Sequence, residues 1–132
     1  MNNYDRELAA LFADAAERKE ELQSDIDLIL SINEKARREG LLAVEGLIPD
    51  LPSPFMKLAV RLMVDGTDSE LIRKVLSTAR HADNHTGPEQ VRRMLIEEGI
   101  LAVLEGLPTS TLKALLYAYL GENKAYSEIR EY

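Results

Sequence analysis

The chain has 132 residues, 45% of them hydrophobic, and a formal net charge of −7 from 16 basic and 23 acidic residues. This length and composition fit one folded domain and exclude a disordered chain. The acidic excess disfavours nonspecific binding to nucleic acid or anionic lipid, because like charges repel. No cysteine is present, which excludes disulfides and thiolate metal sites.

No apolar segment approaches the length of about 18 residues that a membrane-spanning helix needs. The chain begins MNNYDRELAA, which is polar and acidic and therefore unlike a secretory signal. We expect a soluble cytoplasmic protein without a membrane span. Composition does not set the oligomeric state, and a homo-oligomer stays an open alternative.

Apolar residues recur at helical spacing in the N-terminal part of the chain. Residues 4–22 predict a helix with Leu8, Leu11 and Phe12 on one side. A second helical segment is predicted to extend to Leu47. Its core-facing stripe is spaced by threes and fours and consists of Leu22, Ile26, Ile29, Asn33, Ala36, Gly40, Ala43 and Leu47. Ser24 and Asp25 form a candidate N-cap, so these segments form either one long helix or two.

Proline and glycine mark the later helices more sharply. Ser53 and Pro54 predict an N-cap and a first-turn proline for a helix that ends at Gly66. The segments TDSE (67–70) and TGPE (86–89) predict capping boxes that begin at Thr67 and Thr86. Further helices are predicted over 88–106, over 110–120 and after residue 121. No segment alternates with period two, so we predict an all-α bundle of about six helices.

An offset of 59 residues aligns EGLLAVEGLIP (39–49) with EGILAVLEGLP (98–108), which are identical at six of eleven positions. This match predicts a single helical domain, 1–132, with an N-terminal helix at 4–22. Two repeat-like three-helix units would follow, at about 25–82 and 86–132. Chance similarity between helices rich in leucine and alanine is the alternative.

Two glycines, Gly40 and Gly99, occupy matching positions in this alignment, inside predicted helices. Glycine inside a helix costs about 1 kcal/mol relative to alanine. Small residues lie near both, Ala36 and Ala43 beside Gly40 and Ala102 after Gly99. We therefore predict that both glycines lie at close helix crossings, where a larger side chain would overpack.

Residues 35–76, about a third of the chain, resemble the cytoplasmic region of the MotA-type flagellar motor stator family. The family pattern is an alanine-arginine pair leading into EGLLALE, then PF, then VDGTD, then spaced apolar residues. The matching segments here are Ala36-Arg37-Arg38, EGLLAVE (39–45), Pro54-Phe55, VDGTD (64–68), and Ile72 with Leu76.

The resemblance implies a partner, the rotor switch protein, and charged residues that face it. These are an arginine three residues before the glycine and a glutamate five residues after it, which fall on Arg37 and Glu45. On one continuous helix these two side chains would lie on about the same side. Arg38 is expected beside them and can pair with Glu34. A solvated charged face is the alternative interpretation of the same residues.

This sequence also departs from the family. The transmembrane helices that form the family's ion path with a partner subunit have no counterpart in it. In the second repeat-like unit the positions of Arg37 and Glu45 become Ile96 and Leu104, so the implied rotor-facing surface belongs to the first unit only.

Evidence for an enzyme or a cofactor is weak in this sequence. His81, Asp83 and His85 lie close together in RHADNH (80–85), and imidazole and carboxylate suit zinc or nickel. We interpret this segment as a linker, with Arg80 and His81 in a last helical turn, and we assign no metal, cofactor or catalytic residue. The sequence therefore predicts a noncatalytic protein-interaction domain that uses Arg37, Arg38 and Glu45. A small-molecule or metal-binding domain with a possible enzyme activity, and a general bacterial adaptor, are the alternatives.

Overall fold

The computed structural model describes residues 19–121, together with Arg6 and Lys124. Within 19–121 the chain forms helices and no strand, so the predicted all-α bundle of about six helices is confirmed. The α-helices are α1 (Lys19–Glu39), α2 (Pro54–Val64), α3 (Ser69–Ala82), α4 (Gly87–Leu104) and α5 (Thr109–Tyr117), with 3-10 helices at Leu41–Asp50 and Ala118–Leu120. The helix predicted at 4–22, apart from residues 19–22 in α1, and the helix predicted after residue 121 lie outside the described residues.

Helix α4 is the centre of the bundle and packs against α1, α2, α3 and α5. It buries residues on every side, including Val91, Leu95 and Ile100, which are fully enclosed. Its enclosed residues are mostly apolar, with Gln90 and Glu97 as buried polar exceptions. The other four α-helices therefore surround α4.

Helix α1 is continuous through Ser24 and Asp25, so the candidate N-cap at these residues does not begin a helix. The predicted stripe is confirmed along α1, where Ile26 and Ile29 are fully buried. Asp25 is also buried, because its carboxylate pairs with Arg92 of α4 at 2.8 Å.

Side-chain caps explain where two of the helices begin. The Ser53 hydroxyl accepts a hydrogen bond from the Met56 amide at 3.2 Å, which confirms the predicted cap of α2. Helix α3 is capped by Asp68 instead of Thr67, since Asp68 accepts from the Glu70 amide at 3.1 Å. The capping box predicted there is thus wrong by one residue.

Thr86 occupies the predicted N-cap position of α4, but its side chain makes no capping hydrogen bond. Glu89, its expected partner, instead accepts from Arg93 at 3.3 Å. The predicted capping box at α4 is therefore wrong, although the predicted start of the helix is confirmed.

The α2–α3 and α4–α5 junctions share one backbone hydrogen-bonding pattern. Gly66 and Gly106 follow the two helices with φ of 77° and 74°. The amides of Thr67 and Leu107 donate back to Leu62 and Ala102 at 3.1 and 3.2 Å, which is the Schellman arrangement. These junctions are related by an offset of 40 residues, whereas the sequence alignment used 59. The predicted division into units at about 25–82 and 86–132 stays a prediction.

The prediction for the two glycines is confirmed at Gly99 and wrong at Gly40. A Cβ atom at Gly99 would lie 2.9 Å from Cδ1 of Ile29 and 3.0 Å from Cδ2 of Leu116, so α1, α4 and α5 cross closely there. At Gly40 a Cβ atom would meet no described heavy atom within 4 Å. Gly40 has φ 92°, and α1 ends one residue before it. The glycine therefore breaks the helix and is not equivalent to Gly99.

Substitutions at these glycines should differ in how the cost depends on side-chain size. Gly99→Leu should lower the free energy of unfolding by about 1–3 kcal/mol or more, through overpacking, and Gly99→Ala by less. Gly40→Ala and Gly40→Leu should cost similar amounts, about 1–3 kcal/mol, because the strain lies in the backbone. Urea unfolding followed by circular dichroism measures all four variants.

The control is Gly46→Ala, which has open space around it and no strained φ, and should leave stability nearly unchanged. A Gly40→Leu variant that is much less stable than Gly40→Ala would contradict this account of Gly40. That result would instead support the close helix crossing at Gly40 that was predicted from the sequence.

Candidate protein-interaction site

The end of α1 and the 3-10 helix after it carry the three residues predicted to contact a partner. Arg37, Arg38 and Glu45 are all exposed. Because α1 ends at Glu39 and Gly40 turns the chain, Arg37 and Glu45 do not lie on one continuous helix. The predicted helical spacing between them is therefore wrong, although both side chains reach solvent.

Arg37 connects α1 to the α4–α5 junction. Its Nε donates to Oδ1 of Asn33 at 3.4 Å, and its Nη2 donates to the carbonyl oxygen of Leu107. Asn33 is 3% exposed, and its Nδ2 donates to Oγ1 of Thr109 at 3.5 Å. Arg37 is thus exposed but also stabilises the fold, since it hydrogen-bonds the Leu107 carbonyl oxygen just beyond the end of α4.

Arg38 and Glu45 are held more loosely. Arg38 lies 3.7 Å from Glu34, which confirms the predicted pair, and both side chains are largely exposed. Glu45 accepts from Nη1 of Arg61 on α2 at 3.0 Å, with both side chains again near half exposed. Exposed pairs of this kind contribute about 0–1 kcal/mol, so these charges are available to another molecule at little cost.

Two clefts flank Arg37. The first has a volume of about 380 Å³ and lies between α1 and α5. The charged and polar residues that line it are Asn33, Glu34, Arg37, Arg38, Thr109 and Lys113. The second, of about 300 Å³, is lined largely by apolar side chains of α1, the 3-10 helix and the end of α4. The first cleft therefore has three cationic side chains and one carboxylate among its lining residues.

Lys113 and Thr109 were not predicted as site residues. Only the packing of α5 against α1 brings them to Arg37, and no spacing in the sequence reports that packing. One signal was present, because Asn33 is a polar residue in an otherwise apolar stripe. A buried amide needs hydrogen-bond partners, and here Arg37 and Thr109 supply them.

The RHADNH segment is not a linker throughout, since α3 extends to Ala82. His81 lies in the last turn as predicted, with Nδ1 2.7 Å from the carbonyl oxygen of Ser77. The Asp83 carboxylate pairs with Arg93 at 2.6 Å. Among the described residues, no group of three or more histidine, aspartate or glutamate side chains could hold a metal ion.

A membrane-crossing helix would need to be longer and more apolar than any helix in the described part of the chain.

Comparison with known proteins finds partial matches to motility proteins. Motility protein A of Borreliella burgdorferi is 43% identical over 53 residues, which are 40% of this chain and 20% of that protein. Motility protein A of Treponema phagedenis is 41% identical over 51 residues, or 39% of this chain and 20% of that protein. The Bacillus subtilis protein of the same name is 45% identical over 42 residues, or 32% and 16%.

The chain spans about a fifth of the length of the first two of these curated relatives. No family model matches the sequence, and no solved structure matches it. The chain thus contains a region similar to Motility protein A, as the resemblance predicted, and in these three matches it covers at most 40% of the chain.

Proposed function

We propose that this chain is a noncatalytic, cytoplasmic protein-interaction domain that acts like the cytoplasmic region of a flagellar motor stator subunit. Its partner in this proposal is a rotor switch protein, contacted through Arg37, Arg38 and Glu45. The observation that carries the proposal is the local similarity to three proteins named Motility protein A, together with the exposure of these charges. No observation favours a metal-binding domain, an enzyme or a general adaptor over this function.

The three residues contribute differently in this proposal. Arg38 and Glu45 are the residues that exchange their exposed intramolecular pairs for charges on the partner. Such complementarity governs specificity and encounter rate more than affinity. Arg37 presents part of its guanidinium to the partner while its Nε and Nη2 hold Asn33 and Leu107. Reversal of Arg37 would therefore disturb the fold as well as the surface.

The test is a double reversal, Arg38→Glu with Glu45→Lys, which keeps the net charge unchanged. We expect it to leave stability within about 1 kcal/mol, because both pairs are exposed. We expect it to weaken binding to a purified rotor switch protein about tenfold at low salt, and less at high salt where charges are screened. Biolayer interferometry over a salt series measures the effect.

The matched control is Glu70→Lys with Lys74→Glu, which reverses two exposed charges on α3 without changing the net charge. It should bind the switch protein like the wild type. Absence of wild-type binding, or equal weakening by both double variants, would reject the proposed surface.

A further inference from the structure

We infer that the cleft between α1 and α5 is a binding site for an acidic segment of a protein partner, with Lys113 as a contact residue. The inference deepens the proposed function and rests on it for the identity of the partner. Lys113 belongs to α5, outside the MotA-like residues 35–76. Recognition would then combine residues of α1 with a residue of α5.

The charges of the cleft support an acidic ligand. Arg37, Arg38 and Lys113 face one space of about 380 Å³ in which Glu34 is the one carboxylate among the lining residues. The chain as a whole carries a net charge of −7, so the net charge of this cleft is opposite in sign to that of the chain. The net charge of the chain disfavours an acidic peptide overall, whereas the three cations of the cleft attract it.

The partners of these cations leave room for a ligand. Arg37 has two of its nitrogens engaged by Asn33 and Leu107, and Arg38 lies 3.7 Å from the exposed Glu34. Lys113 is half-buried and makes no ion pair with another described residue. A half-buried cation without an ion-pair partner gains from a carboxylate supplied by another molecule.

The polar groups of the cleft are also set in place before binding. Buried Asn33 holds both Arg37 and Thr109, so the two walls are joined by hydrogen bonds. A ligand therefore meets fixed donors on α1 and α5, and less ordering cost opposes its binding.

A synthetic peptide of alternating glutamate and alanine is the probe, with a peptide of glutamine and alanine as the neutral control. At low ionic strength we expect the acidic peptide to shift the backbone NMR resonances of residues that line the cleft, such as Arg38, Thr109 and Lys113. Lys113→Glu should weaken its affinity about tenfold and Lys113→Gln by less. Lys74→Glu, with the same change in net charge on exposed α3, should weaken it less than about twofold.

Equal weakening by Lys113→Glu and Lys74→Glu would overturn the inference, because overall charge would then explain the binding. Resonance shifts away from the cleft, or no binding of the acidic peptide, would overturn it as well. If Lys113→Gln and Lys113→Glu leave peptide binding intact while Arg38→Glu with Glu45→Lys weakens binding to the switch protein about tenfold, the inference fails because Lys113 makes no contact, and the proposed function stands. If the peptide binds in the cleft but the switch protein does not bind, the proposed function fails alone.

Discussion

Replacement of Arg92 by alanine is expected to lower the free energy of unfolding by about 3–5 kcal/mol, because it leaves Asp25 as a buried charge without its partner. Asp25 is 1% exposed. Its carboxylate accepts two hydrogen bonds from the Arg92 guanidinium, from Nε to Oδ2 at 2.8 Å and from Nη2 to Oδ1 at 3.2 Å. The hydrogen bond to Asp25 raises the pKa of Arg92, so the guanidinium keeps its charge. This pair joins α1 to the central helix.

The matched control is Arg73→Ala. Arg73 also holds a carboxylate with two nitrogens, at 2.6 and 3.4 Å from the oxygens of Glu98, but this pair is much more exposed. Its loss should cost about 1 kcal/mol or less. Urea unfolding of both variants tests whether burial decides the difference. Equal costs for the two arginines would show that the Asp25 pair contributes no more than a surface pair.

The sequence specified the helices well where local chemistry determines them. Ser53, Pro54 and Gly66 define the start and end of α2 through capping and backbone conformation, which depend on a few neighbouring residues. Helical periodicity likewise identified the buried face of α1. These features need no knowledge of what packs against the helix.

Other features depended on packing between distant segments and could not be predicted. Gly40 and Gly99 share their flanking residues, yet one breaks a helix and the other allows a crossing. Asp25 looked like a cap, because the sequence does not reveal that Arg92 lies opposite it. The same holds for the cleft, where Lys113 reaches Arg37 only through the packing of α5 on α1. Among the three predicted site residues, the local pair of Arg38 with Glu34 followed from helical spacing, whereas the hydrogen bond of Arg37 to Leu107 depends on packing between distant segments.

A second large effect is expected at Arg80, whose partner Glu97 lies in the interior between α3 and α4. Arg80 is 8% exposed and Glu97 is 4% exposed, and Nη2 of Arg80 lies 3.5 Å from Oε2 of Glu97. Nε of Arg80 and Oε1 of Glu97 find no hydrogen-bond partner among the described residues. Arg80→Ala should therefore lower the free energy of unfolding by about 3–5 kcal/mol at neutral pH, since the buried carboxylate would lose its main counter-charge.

The loss of stability caused by Arg80→Ala should be larger at neutral pH than in acid. Burial raises the pKa of Glu97 above its ordinary value of 4.5, and the charge of Arg80 lowers it again in part. The folded state thus binds the proton more tightly than the unfolded state, so stability falls as pH rises from 4.5 through the folded pKa. Arg80→Ala removes the lowering influence and should extend this fall to higher pH. Its cost should be smaller in acid, where Glu97 is protonated.

The double variant Arg80→Met with Glu97→Leu measures the net contribution of the ion pair to stability. It does so without leaving one buried charge unpaired, as Arg80→Ala does. Replacement of both buried charges by apolar side chains of similar volume is often neutral or stabilising by about 1–4 kcal/mol. We expect the double variant to be at least as stable as the wild type, with a flatter dependence of unfolding free energy on pH because Glu97 no longer titrates. A double variant as unstable as Arg80→Ala would contradict this expectation. The incompletely hydrogen-bonded pair would then contribute net stability to the α3–α4 contact, in spite of its burial.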